Sequence, residues 1–225
     1  MTRYRWLEAD WPAAIKGLSK RVRQNNFGAE GHSGFLLDRV RDEYLEARYI
    51  ERFEFQETVS DPFGKEVTLD RLEYRQTAFR ATSTWPGLEL VDPSRSVQQL
   101  LNELVEASDF SVSLSPLSVD VLTWADGVQR EFGGLLTISS IQVGGLRLED
   151  GTVAKVILKG EKDVREACRK LIGDRPHVLE KLQFRISIGS TTSTVLLANN
   201  ATAKVEGGDA EAELLVAIRK AIPGP

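Results

Sequence analysis

Three aspartate or glutamate side chains, Asp61, Asp70 and Glu73, fall within a short stretch that also holds Arg71 and Arg75. Carboxylates on adjacent strands can hold a divalent cation, and the cation can activate water against a phosphoester. Glu73-Tyr74-Arg75 has the local form of such a site, an acidic residue two before a basic one, with an aspartate upstream. Arginine stands where lysine would serve best, and its guanidinium neither gives nor takes a proton near neutral pH. The same residues are also what cross-strand ion pairing on a solvated hairpin face requires.

Other chemistries find less material. The two histidines, His32 and His177, lie far apart in sequence and have no H-x-x-x-H partner, so no histidine-based metal site is expected. A serine nucleophile would want the G-x-S-x-G elbow, which does not occur. Cys168 is the one cysteine and falls on the apolar stripe of a helix, where a thiol acts as a small hydrophobe. The glycine pairs Gly133-Gly134, Gly144-Gly145 and Gly207-Gly208 lack the spacing of a phosphate loop or a dinucleotide fingerprint. No cofactor and no metal are therefore expected.

The second candidate is basic. Residues 1–26 hold six basic and two acidic side chains, whereas residues 51–110 hold six basic and twelve acidic. Arg3, Arg5 and Trp11, with Lys16, Lys20 and Arg23 on one helical face, form the candidate partner-binding set. Arginine and tryptophan are frequent anchors of protein interfaces, and arginine with interleaved aromatics can also grip nucleic acid. A protein partner is the first expectation and nucleic acid the second.

These residues must be positioned by elements. Asp10 can cap a helix opening at Trp11-Pro12, with Ile15, Leu18 and Val22 inward, ending at Asn25-Asn26. Gly28–Gly34 reads as a glycine loop. A second helix is expected from Ser33 to about Ala47, with Leu37, Val40 and Tyr44 facing inward. Tyr49, Phe53, Phe55 and Val59 then alternate in a strand. Asp61-Pro62-Phe63-Gly64 has the residues of a type I turn. The returning strand changes phase between Leu69 and Leu72, which suggests a bulge near Asp70-Arg71. The strands expected near 48–59 and 66–80 thus make a long charged hairpin.

Trp85-Pro86-Gly87 breaks the chain. A helix capped at Asp92-Pro93 follows, then a strand at Phe110–Leu114 and a helix with Val121, Ala125, Val128 and Phe132 inward, stopped by Gly133. Leu135–Val143 reads as a strand that turns at Gly144-Gly145. Leu146–Glu149 and Thr152–Lys159 read as a hairpin around Asp150-Gly151. A helix Glu161–Ile172 with Val164, Ala167, Cys168, Leu171 and Ile172 inward precedes strands at Leu182–Ile188, Thr191–Ala198 and Ala201–Glu206. Asp209 can cap a last helix. This βββα-βββα order suggests an internal duplication.

The expected fold is α+β: a mainly antiparallel sheet with helices packed on one face, and a helical plus long-hairpin N-terminal portion. Residues 1–110 and 111–225 are the expected portions. At 225 residues, 41% hydrophobic and 28% charged, with a formal net charge of −4, the chain has the composition of a folded protein, not of a disordered one. One cysteine rules out an internal disulfide scaffold. No run nears the ~18 apolar residues of a membrane span, and the first residues lack a signal-peptide core. The expectation is a cytoplasmic, non-catalytic binding or adaptor subunit. The alternative is a metal-dependent nuclease or phosphoesterase using the carboxylates of the 48–80 hairpin.

Overall fold

The computed structural model describes residues 1–11, 15–29, 31–94, 96–188, 191–206 and 208–224. Its elements are β1 (Thr2–Asp10), α1 (Ile15–Gln24), β2 (Ser33–Val40), β3 (Tyr44–Ser60), β4 (Glu66–Thr82), β5 (Gly87–Val91), α2 (Gln98–Ala107), β6 (Ser113–Pro116), α3 (Val121–Phe132), β7 (Leu135–Arg147), β8 (Val153–Lys159), α4 (Arg165–Ile172), β9 (Val178–Ile188), β10 (Thr191–Ala198), β11 (Thr202–Glu206) and α5 (Glu211–Lys220). The class is α+β with antiparallel strand pairing. The chain forms two compact units, one of Met1–Leu7 with Pro116–Pro225 and one of Glu8–Ser115.

In the first unit the strands run β8-β7-β9-β10-β11, with the start of β1 outermost. Period-2 alternation decides which side chains are buried. Leu182, Phe184 and Ile186 of β9 share a face with Val195 and Leu197 of β10, Ala203 and Val205 of β11, and Ile138 and Ile141 of β7, and all are buried. Helices α3, α4 and α5 pack against these strands. Helix α3 starts where Asp120 accepts a hydrogen bond from the Thr123 amide at 2.7 Å. Trp124 is fully buried, donates Nε1–H to the Ile218 carbonyl at 3.0 Å, and meets Trp6 edge-on with ring centroids 5.6 Å apart. Trp6 and Tyr4 therefore belong to this core.

In the second unit the order is β2-β3-β4-β5, with the end of β1 beside β5. Phe35, Tyr49 and Phe79 make its aromatic centre, Phe35 lying 5.3 Å from Tyr49 and 5.8 Å from Phe79 between ring centroids. Ile15, Leu18 and Val22 of α1 and Leu100 and Leu104 of α2 are buried. Gly87, at φ +100°, lies so close to β1 that an added Cβ would sit 2.2 Å from the Ala9 carbonyl oxygen.

Several expectations are corrected. Ser33–Ala47 is not a helix but β2 and the start of β3, paired from Ser33↔Glu51 to Val40↔Leu45. A bulge between Leu37 and Arg39 brings Leu37 and Val40, opposite Ala47 and Leu45, onto one face, so these two imitate helical spacing, and none of Leu37, Val40 and Tyr44 is fully buried. Residues 2–10, where no element is expected, form strand β1. Pro12, the expected helix start, lies outside the described residues, and Asp10 closes β1. Gly34 belongs to β2, not to a glycine loop. Asp92-Pro93 does not cap α2. The strand β5 occupies 87–91, Asp92 has φ +44°, and the helix opens after Val97. The strand expected at Phe110–Leu114 lies later, at Ser113–Pro116, because Asp109 and Phe110 both take positive φ.

Gly144-Gly145 is not a turn. Strand β7 continues through it to Arg147, with a register shift between Val143 and Leu146. An added Cβ at Gly144 would strike the Glu180 side chain. Helix α4 opens at Arg165 rather than Glu161, because Gly160 and Val164 donate backbone hydrogen bonds to Ser139 and Ile138 of β7. Leu171 and Ala167 are exposed, and Phe132 is only half-buried. Before α5 the cap position is Ala210, and the Asp209 side chain lies outside the described residues.

Candidate functional site

The hairpin of β3 and β4 forms as the turn residues require. Asp61 Oδ1 accepts from the Phe63 amide at 2.8 Å and the Lys65 amide at 2.9 Å, and Gly64 takes φ +84°. Pairing is uninterrupted from Tyr44↔Thr82 to Ser60↔Glu66, so the bulge expected at Asp70-Arg71 is absent. The phase change between Leu69 and Leu72 has another cause. From Glu54 outward to Gln76 no residue is buried, so neither face of the ribbon has to be consistently apolar.

The register divides this outer half into two faces. One carries Phe55, Leu69, Val59 and Val67 with the Arg71–Glu57 ion pair. Nearer the core on that face the Arg75 guanidinium lies 4.3 Å from the centroid of the Phe53 ring and 2.9 Å from Glu73. The other face carries Leu72, Tyr74 and the Gln56–Asp70 hydrogen bond at 3.0 Å, around a shallow groove of about 440 Å³. Phe63 at the tip is 95% exposed.

The candidate carboxylates do not converge. Asp70 and Glu73 stand on opposite faces of β4, and Asp61 is spent on the turn's amides. Among the described residues no three His, Cys, Asp or Glu side chains are grouped to hold a metal ion. His32 is exposed, and His177 Nδ1 lies 2.8 Å from the Arg175 carbonyl oxygen. Cys168 is buried, and desolvation pushes its thiol pKa up, away from the reactive thiolate.

The basic candidates are split between the units. Arg3 and Arg5 are half-buried on β1, opposite Lys204 and Thr202 of β11. Lys16, Lys20 and Arg23 are exposed on α1, opposite its buried Ile15, Leu18 and Val22. Lys16 pairs with Asp42 at 2.7 Å, which raises the lysine pKa and lowers that of the aspartate. Trp11 is half-buried and donates Nε1–H to the Gly87 carbonyl at 3.1 Å, so it ties β1 to β5.

Sequence reasoning singled out the hairpin but passed over its apolar side chains, Val59, Phe63, Val67, Leu69 and Leu72, as a surface. The signal that could have found them was the phase change itself. A strand with apolar residues on both parities and charges between them has no single buried face. No known family model matches the chain, and no curated protein matches it either.

Proposed function

We propose that the chain is a non-catalytic binding subunit that engages a protein partner through the outer half of the β3–β4 hairpin. The supporting observation is the exposure, on a two-stranded arm, of Phe55, Val59, Phe63, Val67, Leu69, Leu72 and Tyr74. A two-stranded ribbon has no core of its own, and contiguous exposed apolar surface rimmed by charge marks an interaction site. The arm extends from about Arg52 to the turn, roughly 30 Å at the rise of a strand. The ion pairs along it are exposed and contribute little stability. They keep the free arm hydrated and set the register of whatever docks. The carboxylate reading has no such support, since Asp70 and Glu73 face apart.

The test is a photo-crosslinking amino acid at Leu69, with a matched one at Lys170 on α4. The partner should be captured from the native host at Leu69 and not at Lys170. Joining Gln56 to Asp70 by an Asn-Gly turn, which removes the tip, should abolish co-purification of that partner. Retained co-purification would overturn the proposal.

A further inference from the structure

The face of the first unit's sheet opposite its buried core has a distinct composition. The register places Arg5 and Arg3 of β1 there beside Thr202 and Lys204 of β11. It adds Arg185 and Lys181 of β9, opposite Thr194 and Ala198 of β10. On the far edge, Lys159 lies opposite Ser140, and Lys155 shares its side of β8. The two carboxylates on this side are Glu206 on β11 and Glu180, which accepts hydrogen bonds from Gln142 and Lys155 Nζ, both at 2.5 Å. Of the nine charged side chains named, seven are cations, on a chain whose formal net charge is −4.

Lys155 is paired with Glu180, whereas most of the other described cations on this face are not paired with a carboxylate. Among the described residues, Arg5, Lys159, Lys181, Arg185 and Lys204 have no carboxylate within salt-bridge distance. Arg185 donates instead to a neutral acceptor, the Glu161 carbonyl, at 2.8 Å. Arg3 and Lys204 stand directly across from one another in the register of β1 and β11. The intervening strands present hydroxyl and amide groups, Thr194 on β10 and Thr137, Ser140 and Gln142 on β7, with the apolar Leu196 and Ile157 between them. Cations on β1, β11, β9 and β8 thus alternate with neutral donors over six strands, about 24 Å at ordinary strand spacing. Lysine, arginine, hydroxyl and amide side chains are the groups that contact phosphate oxygens.

We infer that this face docks a nucleic-acid duplex by its phosphate backbone. A duplex fits better than a single strand. None of the described residues assigned to this face is aromatic, so exposed bases would find no stacking platform. The side chains of this face rise from a sheet and offer their cations to phosphate oxygens rather than to base edges, so binding through it is independent of base sequence. This surface is separate in residues from the hairpin and stands or falls without it.

The test is fluorescence anisotropy with a labelled DNA duplex and the full chain. If the five cations without ion pairs each neutralise one phosphate, log affinity falls with log salt at a slope of about −4.5, several hundredfold between about 50 and 200 mM. Reversing Lys181, Arg185 and Lys204 to glutamate should remove at least tenfold of the low-salt affinity and flatten the slope to about −2. The milder Lys181→Gln, Lys204→Gln pair should weaken binding in the same direction, and serves if the triple variant melts early. Reversing Arg169, Lys170 and Arg175, the same change in net charge away from this face, should leave affinity within twofold. Four results would overturn the inference. They are no duplex binding at low salt, undiminished binding by the triple variant, equal loss in the control variant, or capture by phosphatidylserine vesicles without duplex binding.

Discussion

Trp6 shows how far a residue's type can mislead about its role. Beside Arg3 and Arg5 in sequence, it reads as an interface anchor, yet it is 1% exposed and wedged against Trp124. Trp6→Ala should destabilise the fold by about 3–5 kcal/mol, the usual cost of emptying a large aromatic site, as urea denaturation would measure. What hides Trp6 is a partner more than a hundred residues away, which no local pattern reports. Cys168 was legible for the opposite reason, since helical spacing is local information. Asp163 went unnoticed. Burial raises its pKa, but hydrogen bonds from the Arg165 side chain and from the Arg165 and Ile138 amides outweigh this and hold it below the usual carboxylate value. A lowered folded-state pKa gives stability that is present above the unfolded value, near 3.9, and lost as pH falls through the folded one. The stability gap between the protein and Asp163→Asn should therefore be constant near neutral pH and close in acid, below about pH 4. A gap independent of pH would remove the carboxylate from this role.

At the scale of elements, the β3–β4 hairpin was legible from its turn residues and the alternation of β3, although β4 changes phase, and the strand pair β10–β11 from its alternation. Asp61, Pro62 and Gly64 set one turn, and Asn199-Asn200 the other. The failures at Ser33–Ala47 and Gly144-Gly145 share a cause. Each is a bulge, where one strand slips past its neighbour and the side-chain phase changes. Read along one strand, that change imitates a helix in the first case and a turn in the second. Strand β5 was missed because Leu88, Glu89 and Leu90 are buried together, which erases alternation. The arm gives a prediction of its own. Replacing residues 57–69 by Asn-Gly removes no buried side chain, so the midpoint of thermal unfolding should move by less than the equivalent of about 1 kcal/mol. A larger drop would mean that the arm supports the core.

For the whole molecule, the division into units does not follow chain order. Met1–Leu7 belong with Pro116–Pro225. A fragment of residues 116–225 lacks Tyr4 and Trp6, which fill its core, and leaves β11 without the neighbour it pairs with from Thr202 to Val205. Such a fragment should lose cooperative unfolding in calorimetry. A peptide of residues 1–10 added in excess should restore a transition that sharpens with peptide concentration. Cooperative melting without the peptide would show that β1 is dispensable. Sequence composition gives no hint of this arrangement, because a strand's address depends on which edge it completes.

The late arrival of that neighbour matters while the chain is being made. Strand β1 leaves the ribosome about 200 residues before β11. At translation rates of about 5–20 residues per second, the wait is roughly 10–40 s. Through that interval Tyr4 and Trp6 have no core to enter, and an unpaired strand edge is open to any other nascent chain. Closing so long a loop is slow, as expected for pairings distant in sequence. Chaperones should therefore act on this chain through Met1–Leu7 while residues 116–225 are still being made.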